Sequence, residues 1–216
     1  MPMITMIKRF CCELCCITTR LNLSSYLSIF KYNASFEDLK YFFNFTRTME
    51  DYPIITARTR CRLYRPADFE FVRSVMADEQ VMHYIRPATD DRTIVEERTA
   101  FWLKYASENP GLGIFMIILS DTDELAGYCV VRRVEYEPDR DIEIGYVLAS
   151  SHWGRGLATE VTRGMIKYAV TSFNPPLILA YTDSENDASN RVLEKCGFVR
   201  NGTDSVYQTE SVRWEL

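Results

Sequence analysis

Residues Asp141 to Phe173, DIEIGYVLASSHWGRGLATEVTRGMIKYAVTSF, constrain the fold more than any other stretch of the chain. Ile142 to Leu148 is a β-branched and aromatic run of strand length, and from Ala158 onward apolar residues recur at helical spacing. Between strand and helix, Trp153-Gly154-Arg155-Gly156-Leu157-Ala158 places two glycines where the main chain must bend tightly. Such a turn leaves N–H groups uncovered at the start of a helix, and a helix start with bare amides attracts anions. The chain is therefore expected to hold an anionic ligand here.

The flanking sequence supplies the rest of an α/β (α+β) architecture. Thr59 to Pro66 alternates and stops at a proline, as a strand near a sheet edge does. Asp68 is then expected to cap a helix that buries Phe69, Val72, Val75 and Met76. A second helix, Thr93 to Ser107, is expected to bury Ile94, Phe101, Trp102 and Tyr105. Ile114 to Leu119 and Leu125 to Val134 flank an acidic turn and read as a β-hairpin feeding antiparallel into Ile142 to Leu148. Beyond the central helix, Leu177 to Thr182 reads as a strand parallel to Ile142 to Leu148, joined by a right-handed crossover. A short helix, Ala188 to Lys195, ends at Gly197, and strands at Phe198 to Arg200 and Ser211 to Trp214 follow. The expected sheet is mixed and mostly antiparallel, with about six to seven strands and flanking helices.

Bulk properties narrow the function. A formal charge of -5 gives no general basic field, so nucleic acid is not an expected partner. No run of apolar residues is long enough to span a membrane. Residues 1–55 read as an N-terminal extension and 56–216 as the domain, because the first fifty are glycine-free and rich in Cys, hydroxyl and aromatic residues. The extension reads as an arm packed on the domain, a mitochondrial-type presequence or an upstream start. The seven cysteines are odd in number and unevenly scattered, which suits reduced thiols and a cytoplasmic location. The cluster at Cys11, Cys12, Cys15 and Cys16 has no second Cys or His pair after it, so no metal is expected. The N-x-S/T matches at Asn22, Asn33, Asn44 and Asn201 read as chance in a chain without a secretory signal.

Three phosphate-binding solutions compete for the turn. A P-loop needs Lys-Ser/Thr after its glycines, and none follows. A dinucleotide turn needs a third glycine, where this chain has Thr159. The third solution is a resemblance. TRCRLYRP, IEIGYVLASSHWGRGLATE, SENDASNRVLEKCGF and SVRWEL, in that order between Thr56 and Leu216, resemble the GCN5-related N-acetyltransferases, in particular the branch that acetylates ribosomal-protein N-termini. Gly156 and Ala158 match that family's turn; Trp153 replaces its usual Arg or Gln, as in the ribosomal-protein branch.

The resemblance implies an acetyl-CoA-dependent transfer to a primary amine, on a protein N-terminus or a small molecule, by a monomer or homodimer. It implies a splayed central pair of parallel strands, with the coenzyme A pyrophosphate on Trp153, Gly154, Arg155, Gly156, Leu157 and Ala158. It implies pantetheine pairing along Tyr146, Val147 and Leu148. Glu143 is the expected base or amine-binding acid, its alternative being an ion pair with an arginine. The tyrosine many relatives use to protonate the leaving thiolate is Leu193 here, so Ser189 becomes the candidate, with Asn186 as a binding or loop-shaping residue. Loss of that tyrosine also keeps open an inactive CoA-binding module. His83, Tyr84, Arg86 and Trp102 are expected on the acceptor side.

Overall fold

The strands of the sheet are β1 (Ile54–Ile55), β2 (Thr59–Leu63), β3 (Gly113–Leu119), β4 (Leu125–Arg133), β5 (Ile142–Leu148), β6 (Ile178–Thr182), β7 (Val199–Val206) and β8 (Thr209–Glu215). They are seen in a computed structural model that describes residues 51–134, 141–206 and 209–216, all within the unit Met49–Leu216. The N-terminal cysteine cluster and the matches at Asn22, Asn33 and Asn44 lie outside the described residues. The sheet runs β1-β2-β3-β4-β5-β6-β8-β7. Its pairs are antiparallel except β5 with β6. The short edge strand β1 lies in a stretch that the sequence reading assigns to the extension, and it brings the described strands to eight.

Strand alternation sorts the side chains to two faces. Phe115, Ile117, Cys129, Val131, Ile142 and Ile144 face α4 (Leu157–Phe173), packing on its Leu157, Val161, Met165 and Ala169. Met116 and Tyr128 face the other way, with Val72, Val75 and Met76 of α1 (Phe69–Ala77), Val81 and Met82 of α2 (Glu79–Met82), and Val95 of α3 (Arg92–Glu108). A last helix, α5 (Asp187–Lys195), follows β6 and buries Leu193. The parallel pair and its helical crossover through α4 therefore match the sequence reading.

Two local expectations change. Asp68 stands at the N-cap position of α1, but its side chain makes no capping hydrogen bond. It is pulled back instead, its carboxylate accepting from both terminal nitrogens of Arg62, at 2.7 and 2.8 Å, and from the Arg65 N–H at 2.8 Å. A charge-assisted, two-pronged contact outcompetes a single capping bond. In α3 the buried stripe is rotated: Val95 and Thr99 are buried, whereas Ile94 and Phe101 are exposed. Trp102 stays on the packed side, edge-on to Tyr64 at 5.5 Å. Residues 95, 99 and 102 share a helical face by their three- and four-residue spacing, and Ile94 and Phe101 lie one step around it.

Candidate active site

The site is built where β5 and β6 part. The two strands pair only at Ile142 with Ile178 and Glu143 with Leu179. Past those positions they enclose a cavity of about 50 Å³, lined by Tyr146, Thr162, Tyr181 and Ser189 among others. The Thr162 hydroxyl is buried and lacks a hydrogen-bond partner among the described residues. An orphaned hydroxyl beside a cleft fits a polar ligand, because leaving it dry costs about 1–3 kcal/mol.

At the end of β5 the chain makes a short 3-10 turn, Ser150–His152, and enters the glycine turn. Gly154 and Gly156 both adopt left-handed backbone, with φ of +73° and +74°, which a side chain disfavours. The Trp153 N–H is spent on Ser150 O at 3.2 Å and the Glu160 N–H on Gly156 O at 3.2 Å. Those between them, from Gly154 to Thr159, find no acceptor among the described residues. The unpaired amides thus start at Gly154, and Trp153 plays a different part: its indole Nε1 donates to Leu148 O at 2.9 Å, tying the strand end to the turn. Arg155 points its guanidinium at His152 Nδ1, 3.1 Å away.

Arg58, which no motif marks, braces the same turn. Its Nη1 donates to Arg155 O at 2.9 Å, and its Nε and backbone N–H hold Glu160 at 2.7 Å each. Thr56 adds a third donor to Glu160 at 2.6 Å. Burial pushes the Glu160 carboxyl up, but Thr56 and Arg58 more than reverse it and hold it below its usual range.

The candidate acid–base groups lie on opposite faces of β5. Glu143 is buried, at 7% exposure, and stands opposite Arg132 of β4. Arg132 Nη2 and Nε donate to its two carboxylate oxygens at 3.0 and 3.2 Å. On the α4 face, Tyr146 OH lies 3.2 Å from Ser189 Oγ. Burial pushes the Tyr146 phenol up, so it stays protonated at neutral pH. The sequence reading placed Tyr146 for its backbone alone; its hydroxyl meets Ser189 because strand and helix cross there, which local sequence cannot report. The remaining strand residues divide: Val147 packs toward α1 to α3 and Leu148 toward α4. Asn186 shapes the loop, its Oδ1 capping α5 by accepting from the Ser189 N–H at 3.1 Å.

Three thiols lie among the described residues, and Cys196 is half-buried, burial pushing its thiol up. Cys61 and Cys129 are fully buried; a hydrogen bond to Cys61, and then burial, push the Cys129 thiol well up. Among the described residues, no three metal-ligating side chains gather.

Comparison with known proteins decides the family. The model of the acetyltransferase (GNAT) domain matches residues 58–199, well over half of the chain. This chain belongs to the GNAT acetyltransferase family. Among relatives of this GNAT domain, the uncharacterized protein YkkB of Bacillus subtilis is 31% identical over 148 residues, spanning 67% of this chain and 83% of that protein. An uncharacterized N-acetyltransferase, p20 of Bacillus licheniformis, is 39% identical over 94 residues, 44% of this chain but only 52% of its own length. Spermidine N-acetyltransferase from Vibrio cholerae, solved with CoA and spermine, shares the fold with a TM-score of 0.62 at 20% identity, covering 74% of this chain and 95% of that one. The protein is accordingly an acyltransferase of the N-acetyltransferase class.

Proposed function

We propose that this GNAT enzyme transfers acetyl from acetyl-CoA directly to a primary amine, without a covalent enzyme intermediate. The observation that carries the reading is the parting of β5 from β6 immediately after Glu143, over a cleft lined by Tyr146, Thr162 and Ser189. The turn offers free amides and the positive end of the α4 dipole to a diphosphate. The orphaned Thr162 hydroxyl and the cleft lining fit an amide-bearing arm. A fold neighbour solved with CoA and spermine supports the same choice of cofactor.

When bound, acetyl-CoA supplies a thioester carbonyl as the electrophile. Glu143 receives the proton that the amine loses as its nitrogen bonds to that carbonyl, directly or through one water. Arg132 orients the carboxylate for this task. Across the strand, the Tyr146 and Ser189 hydroxyls donate toward the sulfur as the carbon–sulfur bond breaks, and CoA leaves as the thiol. The proton they give up is replaced from solvent.

We place the chain nearest the ribosomal-protein branch, on Trp153-Gly154-Arg155-Gly156 and the Asn186 and Ser189 pair, with residues 1–55 as an extension to the transferase domain and the cytoplasm as its compartment. The acceptor is a protein N-terminus or a small amine. Incubating the full chain with acetyl-CoA and a panel of amines, and following free CoA and acetylated product by mass spectrometry, tests the proposal. Product and CoA rising together is the expected result; tight CoA binding with no product from any amine would point to a binding module instead.

A further inference from the structure

One carboxylate joins the helices over the Glu143 face to the glycine turn. After α1 the backbone of Asp78 turns extended, and its Oδ1 caps α2, accepting from the Gln80 and Val81 N–H groups at 2.9 and 3.3 Å. Its Oδ2 accepts from the Ser150 hydroxyl at 2.8 Å. Both residues are half-buried. Ser150 opens the 3-10 turn at the end of β5, and its backbone oxygen receives the Trp153 N–H at 3.2 Å, next to the first unpaired amide at Gly154. On the other side the Asp78 carbonyl receives the Met82 N–H at 3.0 Å, and Met82 O the Ile85 and Arg86 N–H groups at 2.9 and 3.1 Å. Hydrogen bonds thus run without a break from the glycine turn to Arg86.

A cap needs only one of these carboxylate oxygens. The second ties α2 to an element far away in the chain, and α2 needs the tie: four residues are too few to hold a helix by their own bonds. Val81 and Met82 anchor it in the core with Tyr128 and Val147, whereas His83, Tyr84, Ile85 and Arg86 are exposed. Alternation along β5 puts Val147 on the face of Glu143. α2 and the exposed residues after it therefore belong to the side from which an amine reaches Glu143, in a segment with few buried contacts of its own. The Ser150 bond, with the Val81 and Gln80 amides, outweighs burial and holds the Asp78 carboxyl below its usual range, so it accepts as a carboxylate at neutral pH.

We propose that Asp78 and Ser150 are positioning residues for the amine acceptor: their hydrogen bond passes the order that CoA imposes on the glycine turn to α2 and to the exposed residues His83, Tyr84 and Arg86. The proposal rests on the acetyl-transfer reading, which supplies the ligand of the turn. A diphosphate on the amides from Gly154 to Thr159 holds the turn still, and with it Trp153 and Ser150. A segment already ordered by one ligand costs the second less entropy to engage. The same coupling acts in reverse, so an acceptor held beside α2 strengthens CoA binding by the same factor.

The test is hydrogen–deuterium exchange of the full chain, free and with saturating CoA, read at the amides of Gln80, Val81, Met82, Ile85 and Arg86. CoA is expected to slow their exchange at least about fivefold in wild type and in Ser150→Thr, which keeps the hydroxyl. In Ser150→Ala that slowing is expected to vanish, and likewise in Asp78→Ser, whose single oxygen caps α2 but leaves none for Ser150. With the amine that gives most product, Ser150→Ala is expected to raise the amine KM about fivefold and leave kcat within about twofold, and Ser150→Thr to restore KM. Exchange that CoA leaves unchanged in wild type, or slows as much in Ser150→Ala and Asp78→Ser, would overturn the proposal. CoA titration by calorimetry keeps the two readings apart: wild type that binds no CoA contradicts acetyl transfer, whereas wild type that binds CoA without slower exchange contradicts only the link.

Discussion

Arg132 grips both carboxylate oxygens of Glu143 across the β4–β5 register, at 3.0 and 3.2 Å, at the last pair before β5 and β6 separate. The pair sets the orientation of the acid on the face of β5 away from Tyr146 and Ser189. We predict that Glu143→Gln lowers kcat by about 100-fold, the range of a lost general base, while CoA affinity by calorimetry changes less than about twofold. Arg132→Met is predicted to cost about 3 kcal/mol in urea unfolding, because it strips a buried carboxylate of its partner, and the double Arg132→Met/Glu143→Leu variant is predicted to recover most of it. A double variant less stable than Arg132→Met would show that the pair is not the source of the loss.

On the opposite face of β5 the prediction concerns the leaving group. Tyr146→Phe is expected to reduce kcat by about tenfold or more, with Ser189→Ala smaller, and neither to raise KM for acetyl-CoA in proportion. Burial keeps the Tyr146 phenol protonated, so no loss of activity from this group is expected until the pH exceeds the ordinary tyrosine value of about 10. An unchanged kcat in both variants would remove the donor role.

Arg58 acts at a distance of 97 residues from the carbonyl it holds, Arg155 O. Arg58→Ala releases that carbonyl and the Glu160 carboxylate together, and is predicted to raise KM for acetyl-CoA several-fold with kcat preserved. Arg58→Lys, which keeps the charge but not the forked geometry, is predicted to restore only part of it.

The Arg62–Asp68 pair gives a pH signature. Burial pushes the Asp68 carboxyl up, but the two Arg62 bonds and the Arg65 N–H outweigh it and leave it below its usual range. A depressed folded-state value means that its stabilisation is full above the unfolded value of about 3.9 and disappears as pH falls through the folded one. Asp68→Asn is therefore predicted to cost about 2–3 kcal/mol at pH 7, and the difference from wild type to shrink in urea titrations below about pH 4. A difference that stayed constant down to pH 2 would contradict the assignment.

What could be read in advance follows the range over which each signal acts. The β5–turn–α4 unit and the β3–β4 hairpin depend on alternation and turn chemistry within a few residues, and both appear where the pattern puts them. The phase of α3 was not legible, since Ile94 and Phe101 are as apolar as the residues that are buried and only the docked sheet decides between stripes. The Arg132–Glu143, Arg58–Glu160 and Tyr146–Ser189 contacts join elements through strand register and helix crossing, and no spacing in the chain announces them. The unpartnered Thr162 is of the same kind, a threonine in a helix made conspicuous only by the cleft beside it.

The central claim is that the glycine turn receives the CoA diphosphate, and Gly156 is where a single change tests it. A side chain there meets little, the nearest atom to an added Cβ being Arg58 Nη2 at 3.7 Å, so its effect is left to backbone strain and charge. Gly156→Ala is predicted to lose about 1–2 kcal/mol of stability from the left-handed backbone while still binding CoA. Calorimetric titration of CoA into Gly156→Glu, folded by circular dichroism, is the direct measurement: the account predicts that binding seen with wild type and Gly156→Ala is abolished, and CoA affinity equal to wild type in Gly156→Glu would contradict it.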